Sequence, residues 1–248
     1  MIAAVIQARM GSKRLKGKVL KKIFNKPLLF YQIERLKKIR LVNNIIVATT
    51  KNKNDEQIIK FCNKYNIDYY RGDENNVLKR YIDCAKFYKI SHIIRLTADC
   101  PFTETKLLEK MIKVHLKFNY DYTSNNITNF WPDGLDIEIV KLDTLLKINK
   151  LIKLNSDKEH VTTFIKNNLY LFKYKNIIPL KNLSNLRLTV DQREDFVFIN
   201  EIFKNLYKIK KNFNLDDMIK LFKNKPKLLR FNSNIIRNEG LIKSIKND

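Results

Sequence analysis

Four apolar, β-branched runs punctuate the first hundred residues, and a segment of helical period follows each of them. "IAAVIQ" (2–7), "NIIVAT" (44–49), "IDYYRG" (67–72) and "SHIIRLTA" (91–98) read as strands. "PLLFYQIERLKKI" (27–39), "NDEQIIKFCNKYN" (54–66) and "NVLKRYIDCAKFYK" (76–89) repeat apolar residues at helical spacing, and a further helix is expected at about 104–117. Pro27 suits the first turn of a helix, and Asn54 with Asp55 and Glu56 suits an N-terminus. Successive parallel strands need a long crossover, usually a helix laid over the sheet. The pattern therefore predicts an α/β domain with a mixed, mainly parallel sheet flanked by helices.

Beyond residue 120 the pattern loosens. "YDYTSN" and "LDIEIV" alternate like strands, with "FWPDG" as a turn between them. A helix at about 156–168 and strands at "LYLFKY" (169–174) and "LRLTV" (186–190) are expected next. Residues 200–248 read as a Lys-rich helical extension of one domain spanning 1–248, because no repeat, linker or low-complexity stretch sets off a second one.

With 44% apolar and 11% aromatic residues the chain can bury a real core. No apolar run approaches the roughly 20 residues that cross a bilayer, and "MIAAVI" lacks the basic start of a signal peptide. A cytoplasmic protein without membrane insertion is expected. Cys62, Cys84 and Cys100 show no CxxC spacing, which argues against a zinc site or a disulfide framework. The net charge of +24 raises nucleic-acid binding, but 38 of the 49 cations are Lys and they are scattered along the chain. Bidentate phosphate and base recognition favours clustered Arg, so no specific nucleic-acid partner is expected.

Ligands of parallel α/β sheets gather outside the carboxyl ends of the strands. The first strand runs into "QARMGSKRLKGK", where Gly11 and Gly17 allow a tight turn with inward N–H groups. Arg9, Arg14 and Lys18 add charge and Ser12 a hydroxyl, a set suited to a triphosphate although no Walker motif is present. Two further apolar runs, "IIRLTAD" and "LRLTVD", stop abruptly at Asp99 and Asp191. An isolated aspartate after a strand is usually a turn former or cap. Opposite a phosphate loop the pair gains a use, since Mg²⁺ is commonly held by one or two carboxylates plus substrate phosphates.

The run "IQARMGSKRLKGKVL…KPLLFYQIERL" resembles the cytidylyltransferases of the spore-coat polysaccharide type, relatives of the enzymes that make CMP-activated 3-deoxy-octulosonate and acylneuraminate sugars. The resemblance continues through "RGDENNVLKRY", "IIRLTADCPFTE", "WPDGLDIEIV", "SDKEHVTTFI" and "LRLTVDQREDF", from residue 2 to about 199. It implies a nucleotidyltransferase fold of the glycosyltransferase-A type, CTP as donor, Mg²⁺ as cofactor, an acidic sugar or related metabolite as acceptor, and a homodimer. Gln7, Ala8, Arg9, Gly11, Ser12, Arg14 and Lys18 fall on the nucleotide loop of such enzymes, and Asp99 and Asp191 on their metal-binding carboxylates. Arg71, Gly72 and Asp73 fall near the base, with Thr97 and Ala98 near base or ribose. Arg14 and Lys18 would meet the departing pyrophosphate. Trp131, Asp133, Asp136, Glu138, Glu159 and His160 are the acceptor-side candidates, although a lone His or a loop Trp also serves as ordinary structure. The family usually has Pro at Lys16, an acid at Asn76 and Lys79, and Arg at Lys158. A nucleotide-sugar glycosyltransferase is the alternative; it would need a DxD-like motif, and the nearest approach is "LDD" at 215–217 in an expected helix. A basic non-catalytic binding module would not need the two strand-end aspartates.

Overall fold

β1 (Ile2–Gln7) is apolar toward both faces, and it lies where both are covered, inside a seven-stranded sheet. A two-residue hairpin follows, β2 (Lys22–Ile23) and β3 (Lys26–Pro27), turning through Phe24 and Asn25 at positive φ. β4 (Asn44–Thr50) pairs parallel with one edge of β1 and β5 (Asp68–Gly72) parallel with β4. The chain then returns, and β6 (His92–Thr97) pairs parallel with the other edge of β1. β7 (Tyr122–Ser124), β8 (Glu138–Lys141) and β9 (Tyr174–Asn176) complete the order β5-β4-β1-β6-β8-β7-β9. β8 runs antiparallel to β6 and β7, and β9 parallel to β7. The sheet is thus mixed and mainly parallel, as expected. This computed structural model describes residues 1–246 and 248.

Alternation along β1 builds two cores at once. Ile2, Ala4 and Ile6 face Leu29 and Ile33 of α1 (Leu28–Leu36), Phe61 of α2 (Glu56–Tyr65) and Met111 of α4 (Thr105–Lys117). Ala3 and Val5 face Tyr81 of α3 (Val77–Phe87) and Leu145 of α5 (Leu142–Leu151). Local signals set the helix ends. Asn76 accepts the Lys79 amide at the start of α3, and Asn66 closes α2 at φ 51°. A third core unites α8 (Arg193–Leu206) and α9 (Leu215–Asn224), through Phe198, Phe203 and Met218, with Leu28, Tyr31 and Phe102 of the sheet domain. The C-terminal helices therefore share a core with the body of the protein.

Four expectations differ in detail. Pro27 does not start α1 but precedes it in extended conformation, paired with Lys22 in the small hairpin. The helix expected over 156–168 is two, α6 (Asn155–His160) and α7 (Thr163–Asn167), because Val161 adopts φ 64° and breaks the helical path. "LYLFKY" begins as a 3₁₀ turn at Leu169–Leu171, and β9 starts only after Asp121 has accepted the Lys173 amide. "LRLTV" is extended but joins no sheet; its sole ladder contact is a parallel bridge from Arg187 to Asp133. α5, not anticipated, follows β8 directly, and α10 (Glu239–Ile245) closes the described chain. β8 has both edges paired and Leu135, Ile137, Ile139 and Val140 are buried, so this stretch is interior to the sheet. Among the described residues no helix is long and apolar enough to cross a membrane.

His115 on α4 is fully buried, its ring nitrogens 3.1 Å from His92 Nδ1 and 2.9 Å from Thr123 Oγ1. Burial, reinforced by His92 and Lys141, pushes its imidazole down to about 3, and burial lowers His92 as well. Unfolded histidine titrates near ~6.5, so below that pH the unfolded chain binds protons that the folded chain refuses. Stability is full above about pH 6.5 and falls toward pH 3, at ~1.4 kcal/mol per pH unit for a single such histidine. Urea unfolding should lose ~2 kcal/mol between about pH 7 and about pH 5 on account of His115. His115→Gln should flatten that slope.

Candidate active site

The carboxyl ends of β1 and β6 lie side by side. Ala8 donates its amide to Ala48 O, and Ala98 donates to Gln7 O at 3.1 Å. Between β1 and the 3₁₀ turn Lys18–Leu20, residues 8–17 form a loop held at both ends. At its start the Met10 amide donates to Asp55 Oδ1 at 2.7 Å; Asp55 is 2% exposed and also accepts from Thr49 and Thr50. At its end Gly17, φ 64°, donates to Met10 O. Within the loop Ser12 Oγ accepts the Leu15 amide. Among the described residues the amides of Gly11, Ser12, Lys13 and Arg14 have no protein acceptor. The space where Gly11 would carry a Cβ is open. A loop pinned at its ends with free N–H groups is the arrangement that binds phosphate oxygens.

Lys18 leads back from this loop into a cluster of opposed charges. Its Nζ lies 2.5 Å from Asp99 Oδ2 and 2.8 Å from Asp191 Oδ1, although the two aspartates are far apart in sequence. Burial would push the Asp99 carboxyl up, but the Lys18 ammonium outweighs it and holds the group at about 2. Burial likewise opposes the charge on Lys18, and the two carboxylates overcome it, so its pKa is raised. Lys18 and Asp99 therefore both carry charge at neutral pH. Arg14 adds a second cation, 2.8 Å from Asp191 Oδ1 and 2.5 Å from Glu239.

Asp191 is placed by a scaffold that the fold builds for it. Leu186, Leu188 and Val190 enter the third core, so alternation sends Arg187, Thr189 and Asp191 the other way. The Arg187 guanidinium is 8% exposed and its fork engages three carboxylates, Asp133, Asp191 (2.9 Å) and Asp195 (2.8 Å). Asp195 is the third residue of α8; it accepts the amides of Asp191 and Gln192 within a capping box. On the other flank "WPDG" is pressed against the segment. Leu188 N–H donates to Asp133 O, and Gly134 sits at φ 95°, where a Cβ would collide with the Leu188–Thr189 backbone. Val190 N–H donates to Asp99 O at 3.0 Å, tying the two aspartates' segments together.

The remaining candidates divide by what they touch. Arg71 is committed to the β4–α2 connection, through Thr50 O, Asn52 O and Glu56. Gly72 leaves room for Arg80, and Asp73 accepts the amides of Asn75 and Asn76 in a turn. Thr97 Oγ1 lies 3.2 Å from Cys100 Sγ and Ala98 is buried at the strand end. Trp131 packs against two cores while its indole N–H donates to Ile177 O. The Asp133 and Glu138 carboxylates are both buried against cations, Arg187 for one and Arg95 with Lys166 for the other. Asp136 accepts from Gly134 and Arg237. Arg9 Nη2 is 3.9 Å from Glu159, and His160, next along α6, is a quarter exposed, its Nε2 3.9 Å from Glu159 Oε2 and without a hydrogen-bond partner among the described residues. Asp216 and Asp217 start α9, where Asp217 forms a capping box with Asn214; the "LDD" stretch is a helix start.

Sequence reading passed over Arg187, Asp195, Arg95 and Lys166. For Arg95 and Arg187 a signal was present, an Arg inside an apolar run four residues before each aspartate. It also passed over the chain's end. Arg237 donates to Trp131 O, Glu239 takes Arg14, Ser244 donates to Glu159 and Asp248 accepts the Ser156 amide, so these four residues reach the loop side and the α6 side together.

A cytidylyltransferase family model matches residues 3–237. The spore coat polysaccharide biosynthesis protein SpsF of Bacillus subtilis is 34% identical over 210 residues, covering 82% of this chain and 86% of that protein. The mitochondrial 3-deoxy-manno-octulosonate cytidylyltransferase of Arabidopsis thaliana is 27% identical over 84% of this chain and 74% of its own length. Among solved structures, a cytidylyltransferase from Leptospira borgpetersenii serovar Hardjo-bovis superposes with a TM-score of 0.88 at 30% identity, covering 95% of this chain and 98% of that one. With a family match over nearly its whole length and the same fold in a 30% identical structure, this chain belongs to the cytidylyltransferase family.

Proposed function

We propose that the protein transfers a cytidylyl group from CTP to an acidic sugar-type acceptor and releases pyrophosphate. The observation that carries the reading is the convergence of Asp99 and Asp191 on one cation beside a loop of free amides. The names of the two curated relatives, one in polysaccharide biosynthesis and one acting on 3-deoxy-manno-octulosonate, support the acceptor class. The free amides of Gly11 to Arg14 would receive phosphate oxygens, and Arg14 and Lys18 would meet the charge that grows on the departing pyrophosphate. An acceptor oxygen attacks the α-phosphorus in line, so the protein's work is positioning and charge stabilisation.

The residues also fit a divalent ion. Two carboxylates already share one positive charge. That is the donor set of Mg²⁺ bound partly through substrate phosphates. Asp99 and Asp191 would hold it, and its chemistry there is neutralisation of phosphate charge.

Pyrophosphate release should be fastest with CTP among the four ribonucleotides, measured across a panel of sugar acids; faster turnover with ATP or GTP would remove the cytidylyl assignment. Asp99→Asn and Asp191→Asn each keep shape and remove charge. A loss of ~3–4 kcal/mol of transition-state stabilisation should slow turnover ~10²–10³-fold. Wild-type rates in both variants would remove the carboxylate pair from the mechanism.

A further prediction follows from Glu239, whose carboxylate occupies Arg14 in place of a phosphate. Glu239→Gln removes that internal competitor. CTP should bind several-fold more tightly by calorimetry, and an unchanged or weaker affinity would show that Arg14 does not receive the triphosphate.

A further inference from the structure

α10 (Glu239–Ile245) has seven residues, too few for a helix to persist in water without outside support. None of them is buried, and no residue from 236 to 246 enters any of the three cores. Ile236, Ile242 and Ile245 are exposed, and Gly240 stands inside the helix with open space where a Cβ would lie. Asn238, at φ 57°, starts the helix without a side-chain cap. α9 is the contrast, with Leu215, Met218, Leu221 and Phe222 buried and a capping box at its start.

What holds α10 is polar and comes from the candidate site. Glu239 takes Arg14 Nη1 at 2.5 Å and lies 3.5 Å from Gln192 Nε2. Lys243 and Arg14 keep its carboxyl at about 2, so it is charged at neutral pH. Ser244 Oγ donates to Glu159 at 2.9 Å, and Asp248, beyond the helix, accepts the Ser156 amide. One end of α10 is thus fastened to the loop and the other to α6. Just before the helix, Arg237 is tied to Trp131 O and Asp136.

Both arms of the Arg14 fork are taken by protein carboxylates, Nη1 by Glu239 and Nη2 by Asp191. A phosphate that uses this guanidinium must displace one of them. Asp191 is fixed by Lys18, Arg187 and the α8 cap. Glu239 rides on a helix with no core contact, and the weaker attachment yields.

We propose that α10 is an autoinhibitory strap. Glu239 stands in for a phosphate on Arg14; a triphosphate entering the loop replaces it and frees the helix from the loop and from α6. Release by a triphosphate, as distinct from the strap's own attachment, rests on the reading of residues 8–17 as the phosphate loop. Only the open population accepts the ligand, so apparent affinity falls in proportion to that population.

Amide hydrogen exchange on the full chain reads the strap directly. Inorganic triphosphate and CTP should each slow exchange over residues 11–14 and speed it ~10-fold or more over 239–245. Glu239→Gln should speed 239–245 with no ligand present. Gly240→Ala supplies the opposite sign, at a position where the added methyl meets nothing. Alanine favours helix over glycine enough to make both ligands bind ~5-fold more weakly by calorimetry, whereas Glu239→Gln should bind them more tightly. A helix that serves stability alone would lose no affinity on Gly240→Ala, and thermal unfolding checks that both variants fold. The strap is overturned if 239–245 is already unprotected in the free protein. It is equally overturned if a ligand that protects 11–14 leaves 239–245 unchanged or slower, or if Gly240→Ala binds like wild type. Release of α10 by inorganic triphosphate without any binding of CTP would keep the strap and remove the cytidylyl assignment. Binding of neither ligand, to wild type or to Glu239→Gln, would remove both.

Discussion

Everything at the candidate site depends on two aspartates being brought to one cation. Neither is near the other in sequence, and like charges at such range repel strongly unless something positive stands between them. The Lys18 ammonium does so, within hydrogen-bonding distance of both. The fold secures each partner by a different means. β6 delivers Asp99 because its apolar run crosses the sheet next to β1. Lys18 comes from the loop that leaves β1, on the adjacent strand end. Asp191 has no sheet strand beneath it, so it is held by Arg187, the α8 cap and the "WPDG" turn. A carboxylate held this way costs the fold a network of buried charge, which is stable only because every member is paired.

The central sheet was legible because its signal is redundant. β1, β4, β5 and β6 each carry an apolar run, a following helix and a turn, and these agree with one another. The sheet's second half lacked that redundancy. β7 and β9 are three residues long, too short for periodicity to declare itself, and the Val161 kink depends on contacts to Glu138 that no local pattern records. The site divides along the same line. Asp99, Lys18 and Asp191 could be found because each ends or follows a recognisable run, and the structure brings them together. The acceptor-side candidates could not be ranked, since whether Asp133 or Glu138 faces solvent or a buried guanidinium is decided by residues 54 and 43 positions away.

The net charge of +24 gains a local meaning from the same geometry. Scattered surface lysines do little individually, because solvent and salt screen them. Arg14, Lys18, Arg95 and Lys166 differ, since each is partly or largely buried and pointed at a carboxylate. An anionic substrate enters a field to which the whole surface contributes, and is then met by a few cations whose positions are fixed by internal acids. The acids keep those cations in place before any ligand arrives.

The two echoes "RLTAD" and "RLTVD" show how far nearly identical local sequence can diverge in use. Each sets an Arg four residues before an aspartate. In β6 the ladder with β1 and β8 keeps the backbone straight, so Arg95 stays level with Glu138 across the sheet and its guanidinium is drawn to that carboxylate. Over 187–191 no ladder continues past the single bridge at Asp133, and α8 begins at Arg193. The chain can then bend until the Arg187 fork reaches Asp191 itself. One Arg is thereby left facing the α6–α7 side with unsatisfied donor capacity, while the other is wholly engaged in holding a carboxylate. The difference lies in hydrogen-bond partners supplied from elsewhere in the chain: β8 offers Glu138 to one Arg, whereas the other gathers Asp133, Asp195 and its own Asp191.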